Sequence, residues 1–237
     1  MARLFEELDF RDTPIGELSL RRRHEPHVGH DIFEIKLDDE FLMSSLVAHS
    51  EIALAKLGLD AIAGDHLDVA VGGLGLGYTA KAVLDEPRAH SLLVIDYLDA
   101  VIDWHKSGLL PLGPELTSNP RCTLSQGDFF ARAASDEGLD PTTPRRKFDA
   151  ILVDIDHSPD ALLDDRSRNF YTPEGFANLA RHLTPGGIFG LWSDARPSQE
   201  IVERLATVFA EAWSKAVTFN VPTRADPVTQ TVYLARK

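Results

Sequence analysis

The sequence predicts an α/β fold: a Rossmann-like, doubly wound and mostly parallel seven-stranded sheet with an antiparallel C-terminal strand pair, preceded by a small N-terminal β-hairpin segment. Three features point there. An apolar strand pattern, Leu67 to Val71, runs directly into Gly72-Gly73-Leu74-Gly75-Leu76-Gly77, then into a helical pattern and a second strand, which is the order of a βαβ unit. Phe148 to Val153 and Ile188 to Trp192 are nearly all apolar, as strands buried on both faces are. Two further strand patterns, Ala216 to Val221 and Thr229 to Ala235, follow the last helical pattern and close the sheet as a hairpin.

From Ile15 to Ser45 the apolar residues alternate in short runs, Glu17 to Leu20 and Asp31 to Leu37, broken by Gly29 and Asp38-Asp39; this is hairpin grammar. Ser45 to Leu57 then reads as a helix that Gly58 stops. The chain thus divides into a hairpin segment, 1–45, and a Rossmann-like domain, 46–237. Within the latter, helices are expected over Tyr78 to Leu84, Asp99 to His105, Ala177 to Leu183 and Gln199 to Trp213. Strands are expected over Ser91 to Ile95 and Arg121 to Ser125, with a turn at Thr184 to Gly187. Asp136 to Lys147, with Pro141, Pro144 and mixed charge, reads as a mobile surface loop.

Composition narrows the function. The formal net charge of −13 argues against nucleic acid as a partner, since phosphate binding needs a cationic footprint, and favours small cationic substrates. Arg21-Arg22-Arg23 ends a strand pattern and reads as a solvated strand face. No apolar stretch approaches the roughly 18 residues of a membrane span. Met1 to Asp12 lacks the apolar core of a secretory signal, so a cytoplasmic protein is expected. The single cysteine, Cys122, has no partner for a disulfide and no neighbours at metal-finger spacing; no metal site is expected.

A strand that runs into glycines and then a helix lets a ligand lie against bare backbone, with helix N–H groups facing an anion. That anion is the carboxylate of S-adenosylmethionine or the pyrophosphate of a dinucleotide, and the loop alone does not choose. Gly75-Leu76-Gly77-Tyr78-Thr79-Ala80 satisfies a relaxed dinucleotide fingerprint, and Asp96 lies about 20 residues on, where a ribose-binding carboxylate is expected in either case. Gly127-Asp128 follows a third strand, where Asp128 could accept from an adenine amino group or cap the helix after it.

In this order, several motifs resemble the spermidine synthase family of polyamine aminopropyltransferases and their methyltransferase relatives. They are Leu37 to Ser45, His49-Ser50-Glu51, Val71-Gly72-Gly73, Val94-Ile95-Asp96, Gly127-Asp128, Phe148 to Asp154, Phe170-Tyr171 and Leu183 to Phe189. The resemblance implies that S-adenosylmethionine or its decarboxylated form is the cofactor, held by Gly72, Gly73, Gly75, Gly77, Asp96 and Asp128. It implies Asp154 as the catalytic carboxylate facing a small amine, and a homodimer. An alkylammonium of pKa ~10.4 attacks a sulfonium carbon only after losing a proton, so a carboxylate that orients it and takes the proton is needed. His157 and Tyr171 are further catalytic candidates, His157 as a local turn partner or a general base and Tyr171 as a pocket hydroxyl or a wall residue. Glu51, Asp156 and His49 are candidate substrate contacts.

Three positions depart from the family. The acid of its glycine loop is Gly75 here, its second aspartate is replaced by His157-Ser158, and the glutamine of its hairpin is Met43; Asp156, Asp160 and Glu51 are the acids that could substitute. An acid-free loop makes room for a donor that keeps its carboxylate. That favours methyl transfer, whereas the family resemblance implies transfer of an aminopropyl or related alkyl group to an amine; the latter is the expectation, with methyl transfer as the alternative and an NAD-dependent oxidoreductase as a second. A relative that keeps the fold as a binding module is a further reading.

Overall fold

The computed structural model describes residues 5–159 and 161–237. Four antiparallel strands come first, β1 (Phe5–Thr13), β2 (Gly16–Glu25), β3 (His30–Leu37) and β4 (Glu40–Ser44), paired in that order. α1 (His49–Asp60) leads to β5 (Leu67–Gly72), α2 (Tyr78–Asp85), β6 (Ala89–Asp96), α3 (Asp99–Lys106), α4 (Gly113–Ser118), β7 (Cys122–Gln126) and α5 (Phe129–Ala134). Then follow β8 (Phe148–Val153), a 3-10 turn (Asp165–Tyr171), α6 (Pro173–Ala180), β9 (Leu183–Ser193), α7 (Gln199–Ala206), β10 (Glu211–Phe219) and β11 (Val228–Arg236).

The seven-stranded sheet runs β10-β11-β9-β8-β5-β6-β7. β7, β6, β5, β8 and β9 are mutually parallel; β11 is antiparallel to both of its neighbours, β9 and β10. The fold is therefore the expected one: mixed α/β, mostly parallel, and closed by an antiparallel C-terminal pair. Alternation along β5 explains the two layers. Val69 and Val71 face a core shared with α1 to α4 and the N-terminal sheet, while Ala70 faces a second core built on α5, α6 and α7. β8 does the same, Ala150 and Leu152 to one side and Ile151 and Val153 to the other, which is why both strands read as nearly all apolar, Asp68 and Asp149 near their starts excepted.

Several local expectations are corrected. Gly58 does not stop α1, which continues to Asp60; a Cβ there would lie 2.7 Å from Leu152 Cδ2, so the glycine serves close helix-to-sheet packing. α7 ends at Ala206, and Trp213 lies in β10 opposite Leu234, because the helical spacing of Ile201, Val202 and Leu205 gives way to alternation. Thr184 to Gly187 is an excursion within β9: Phe148 pairs with Leu183 and Ala150 with Ile188, so these four residues stand opposite Asp149 alone. β1 was not visible in the alternation because its two phenylalanines, Phe5 and Phe10, are about half exposed. Tertiary contacts hold it instead, among them Trp104 Nε1–H donating to Asp9 Oδ2 at 2.7 Å.

Arg23 is not a solvated residue. It bridges the buried carboxylates of Glu25 and Glu34, while Arg22 meets Glu6 at the surface. The 136–147 segment has no regular structure, yet it is pinned: Arg146 reaches the buried Asp140 and also Asp68, both at 3.0 Å.

Candidate active site

Gly72 of β5 is level with Ile95 of β6 and Val153 of β8. The C-terminal ends of the three strands therefore form one edge, and β5 and β8 flank the point where the strand order reverses, the usual ligand crevice of an open α/β sheet. A cavity of about 830 Å³ opens there. The shared register brings Gly73, Asp96 and Asp154, from three strand ends, onto its wall.

The glycine loop is tightly held. Gly73 (φ +92°) has no room for a side chain, since a Cβ would overlap the carbonyl oxygen of Asp154. Gly75 (φ +47°) lies bare against the thioether of Met43, and a Cβ there would overlap Met43 Cε. Gly72 packs under the Phe129 ring, and Gly77 caps the start of α2. Asp96 latches the loop: Oδ2 accepts from the Leu74 amide and Oδ1 from the Leu98 amide, both at 2.8 Å. Burial pushes its carboxyl up, and the amides of Leu74, Leu98 and Gly75 oppose that. From behind, the buried His105 of α3 presents Nε2 to the Gly75 carbonyl at 2.8 Å; facing a carbonyl, that nitrogen carries the proton.

Asp128 is the N-cap of α5, accepting from the Ala131 amide at 3.0 Å, and it also lines the cavity. Asp154 continues from β8. Its Oδ2 accepts from Thr79 Oγ1 on α2 at 2.6 Å. Burial, and next the negative charge of Glu51, push its carboxyl up to about 7, with the Thr79 hydroxyl pulling the other way. Glu51 is a neighbour behind Asp154 and does not line the cavity. Its own carboxyl is raised, chiefly by burial. The Ser50 hydroxyl stands 2.7 Å from Glu51 Oε2 and 2.6 Å from Gln230 Oε1, and one proton cannot serve both.

The remaining sequence candidates are placed differently. Asp156 lies on the cavity wall but is almost fully buried; Oδ1 accepts from the Leu163 amide and Oδ2 from the Tyr171 hydroxyl, each at 2.7 Å. Burial raises its carboxyl. Tyr171 stands behind the wall in an aromatic cluster with Phe130, Phe170 and Phe176, and its hydroxyl is committed to Asp156. Burial raises that phenol well above its ordinary range. The Nε2 of His157 lies 3.4 Å from Glu40 Oε1 of the N-terminal sheet, and the residue is absent from the cavity wall. His49 is exposed and stacks on Phe219 with ring centroids 5.0 Å apart. Asp160 lies outside the described residues.

Sequence reasoning missed Thr79, His105, Asp164, Arg166 and Glu174. Thr79 alone carried a signal, a hydroxyl two residues past the glycine loop. The cavity wall is strongly acidic. Among the described residues, Asp96, Asp128, Asp154, Asp156, Asp164 and Glu174 line it against one cation, Arg166, which is itself bound to Asp164 at 2.6 Å and packs over the Tyr97 ring.

No protein-family model matches the chain. Among solved structures, a spermidine synthase in complex with the transition state analogue AdoDATO superposes with a TM-score of 0.73 at 15% identity, over 98% of this chain and 73% of that one. The fold is spermidine synthase-like. The spermidine synthase of Thermotoga maritima gives a TM-score of 0.70 at 14% identity, over 98% and 72% of the two chains. At such identities the likeness concerns architecture, and in this spermidine synthase-like frame the acids of the wall remain to be read from their own chemistry. Among the described residues, no helix is long and apolar enough to cross a membrane.

Proposed function

We propose that this chain is an aminopropyltransferase-like enzyme of the class I S-adenosylmethionine-dependent superfamily. It would move an aminopropyl or related alkyl group from decarboxylated S-adenosylmethionine to a small amine. The observation that carries this reading is the wall of six carboxyl side chains against one paired arginine. Such a wall attracts cations and repels anions, which suits an ammonium-bearing donor tail and an amine acceptor. The solved relative bound to AdoDATO supports the same reading.

The residues present fit a sulfonium nucleoside. Gly73 and Gly75 bring no side chain of their own into the strand-end crevice. The carboxylate of Asp96 has lone pairs left after its amide bonds with which to accept ribose hydroxyls, and Asp128 is placed to accept from an adenine amino group. When bound, the nucleoside supplies an electrophilic carbon whose bond to sulfur breaks. Asp154 binds the acceptor's ammonium with Oδ1, since Oδ2 is held by Thr79, and takes a proton from it there; the freed nitrogen lone pair would then form the bond to carbon as the carbon–sulfur bond breaks and the electron pair stays on sulfur. A carboxyl titrating near 7 is ionised often enough for this and is a stronger base than an ordinary aspartate. Asp156, fixed by Tyr171, adds a second negative site on the same wall. In this reading His157 and His49 are assigned no step, and Tyr171 acts through Asp156.

Calorimetry tests the reading. Methylthioadenosine or S-adenosylhomocysteine should bind, and NAD should not; binding of NAD alone would refute it. Methyl transfer is the second reading, favoured by the acid-free loop, whose Leu74 and Leu76 point into the core. The antiparallel β10–β11 pair weighs against the dinucleotide alternative. We propose a cytoplasmic homodimer as the working form, with light scattering as its check.

A further inference from the structure

Between Gly73 and Gly77 the backbone amides of the loop nearly all have partners within its own framework. Gly73 N–H donates to Ile95 O at 2.9 Å, Leu74 N–H to Asp96 at 2.8 Å, and Gly77 N–H to Leu74 O at 2.8 Å, and Asp96 also draws on the Gly75 amide. Leu76 is the exception. Its N–H meets only the sulfur of Met43, at 3.1 Å. Met43 arrives from β4, where it pairs with Ile35, and its Cε and Sδ lie over the bare Cα of Gly75. Met43 and Gly75 both line the cavity. A thioether is a weak acceptor, so an anion would be the better partner for that amide, yet the side chain occupies the ground an anion would need.

We infer that Met43 is a donor-specificity residue: it closes the glycine loop to a donor tail ending in a carboxylate and leaves a tail that ends in an ammonium to the acids of the wall. The inference rests on the nucleoside-transferase reading. It reverses the expectation from sequence alone that an acid-free loop makes room for the carboxylate, because the N-terminal sheet supplies the side chain that fills this room.

The test compares S-adenosylhomocysteine with its decarboxylated form, two nucleosides that differ only in the carboxylate, by calorimetry on the full chain. The wild type should prefer the decarboxylated compound. Met43→Ala should move the affinity ratio towards S-adenosylhomocysteine by about tenfold, the scale of one charge-assisted hydrogen bond regained. Met43→Val removes only the tip of the side chain and suits a strand, so it should move the ratio the same way even if the alanine variant folds poorly. A ratio within about twofold of wild type in every folded variant would overturn the role of Met43 while leaving the transferase reading intact, as would a wild type that prefers the carboxylate. If the wild type binds neither compound, the transferase reading fails and this inference with it.

Discussion

Replacing Asp154 with asparagine should make the protein slower and more stable at once. The side chains are isosteric, and the asparagine carbonyl can still accept from Thr79, so the local geometry survives. What changes is charge. In the folded protein the Asp154 carboxyl is raised from 3.8 to about 7 by burial and by Glu51. A raised carboxyl binds protons more tightly folded than unfolded, so between these two values stability falls as pH rises, and above about 7 the full penalty is present. The span corresponds to at most about 4 kcal/mol, and partial access to solvent reduces it. Asp154→Asn should therefore gain on the order of 2–4 kcal/mol at pH 8, with the gain vanishing towards pH 4. Urea unfolding at the two pH values reads this directly. Turnover should fall about 10²- to 10⁴-fold, the range of a lost general base, while binding of methylthioadenosine changes little. A variant that is less stable at pH 8, or that turns over at the wild-type rate, would show that Asp154 is neither the strained carboxyl nor the base inferred here.

Thr79→Val removes the hydrogen bond that lowers the Asp154 carboxyl; the acidic limb of the wild-type rate profile, expected near pH 7, should move to higher pH in kcat/KM measurements. Tyr171→Phe leaves the buried Asp156 without one donor and should cost about 1–3 kcal/mol, with thermal melting as the check and KM for the amine rising more than kcat falls. Gly73→Ala forces a Cβ onto the Asp154 carbonyl at φ +92°; it should cost about 2 kcal/mol or more and abolish nucleoside binding by calorimetry.

What the sequence made legible was whatever strand register alone decides. Asp96 ends β6, Asp154 directly follows the last residue of β8, and Asp128 lies two residues past the end of β7; parallel pairing in step with β5 carries all three to one edge whatever the loops do. One or two residues further on, register loses its hold. Beyond Asp154 the chain turns, sending the backbone of His157 to Asp194 and its ring towards Glu40, while Asp156 points inward to Tyr171. Periodicity carries no information on such a reversal.

The same distinction explains Glu51 and Met43. Each sits on an element whose own pattern is ordinary, α1 for one and β4 for the other, and each matters through what a different part of the fold places beside it. Glu51 becomes an electrostatic neighbour of Asp154 because α1 packs against α2 and against β8, with Gly58 allowing the close approach. Met43 becomes a cap on the glycine loop because the N-terminal sheet shares a core with α3 and β5. The loop and the strand-end acids therefore build the crevice. On the transferase reading proposed above, its selectivity would be set from outside the Rossmann-like sheet, where a substitution at Met43 should change the preferred donor without disturbing the acids that would carry the chemistry.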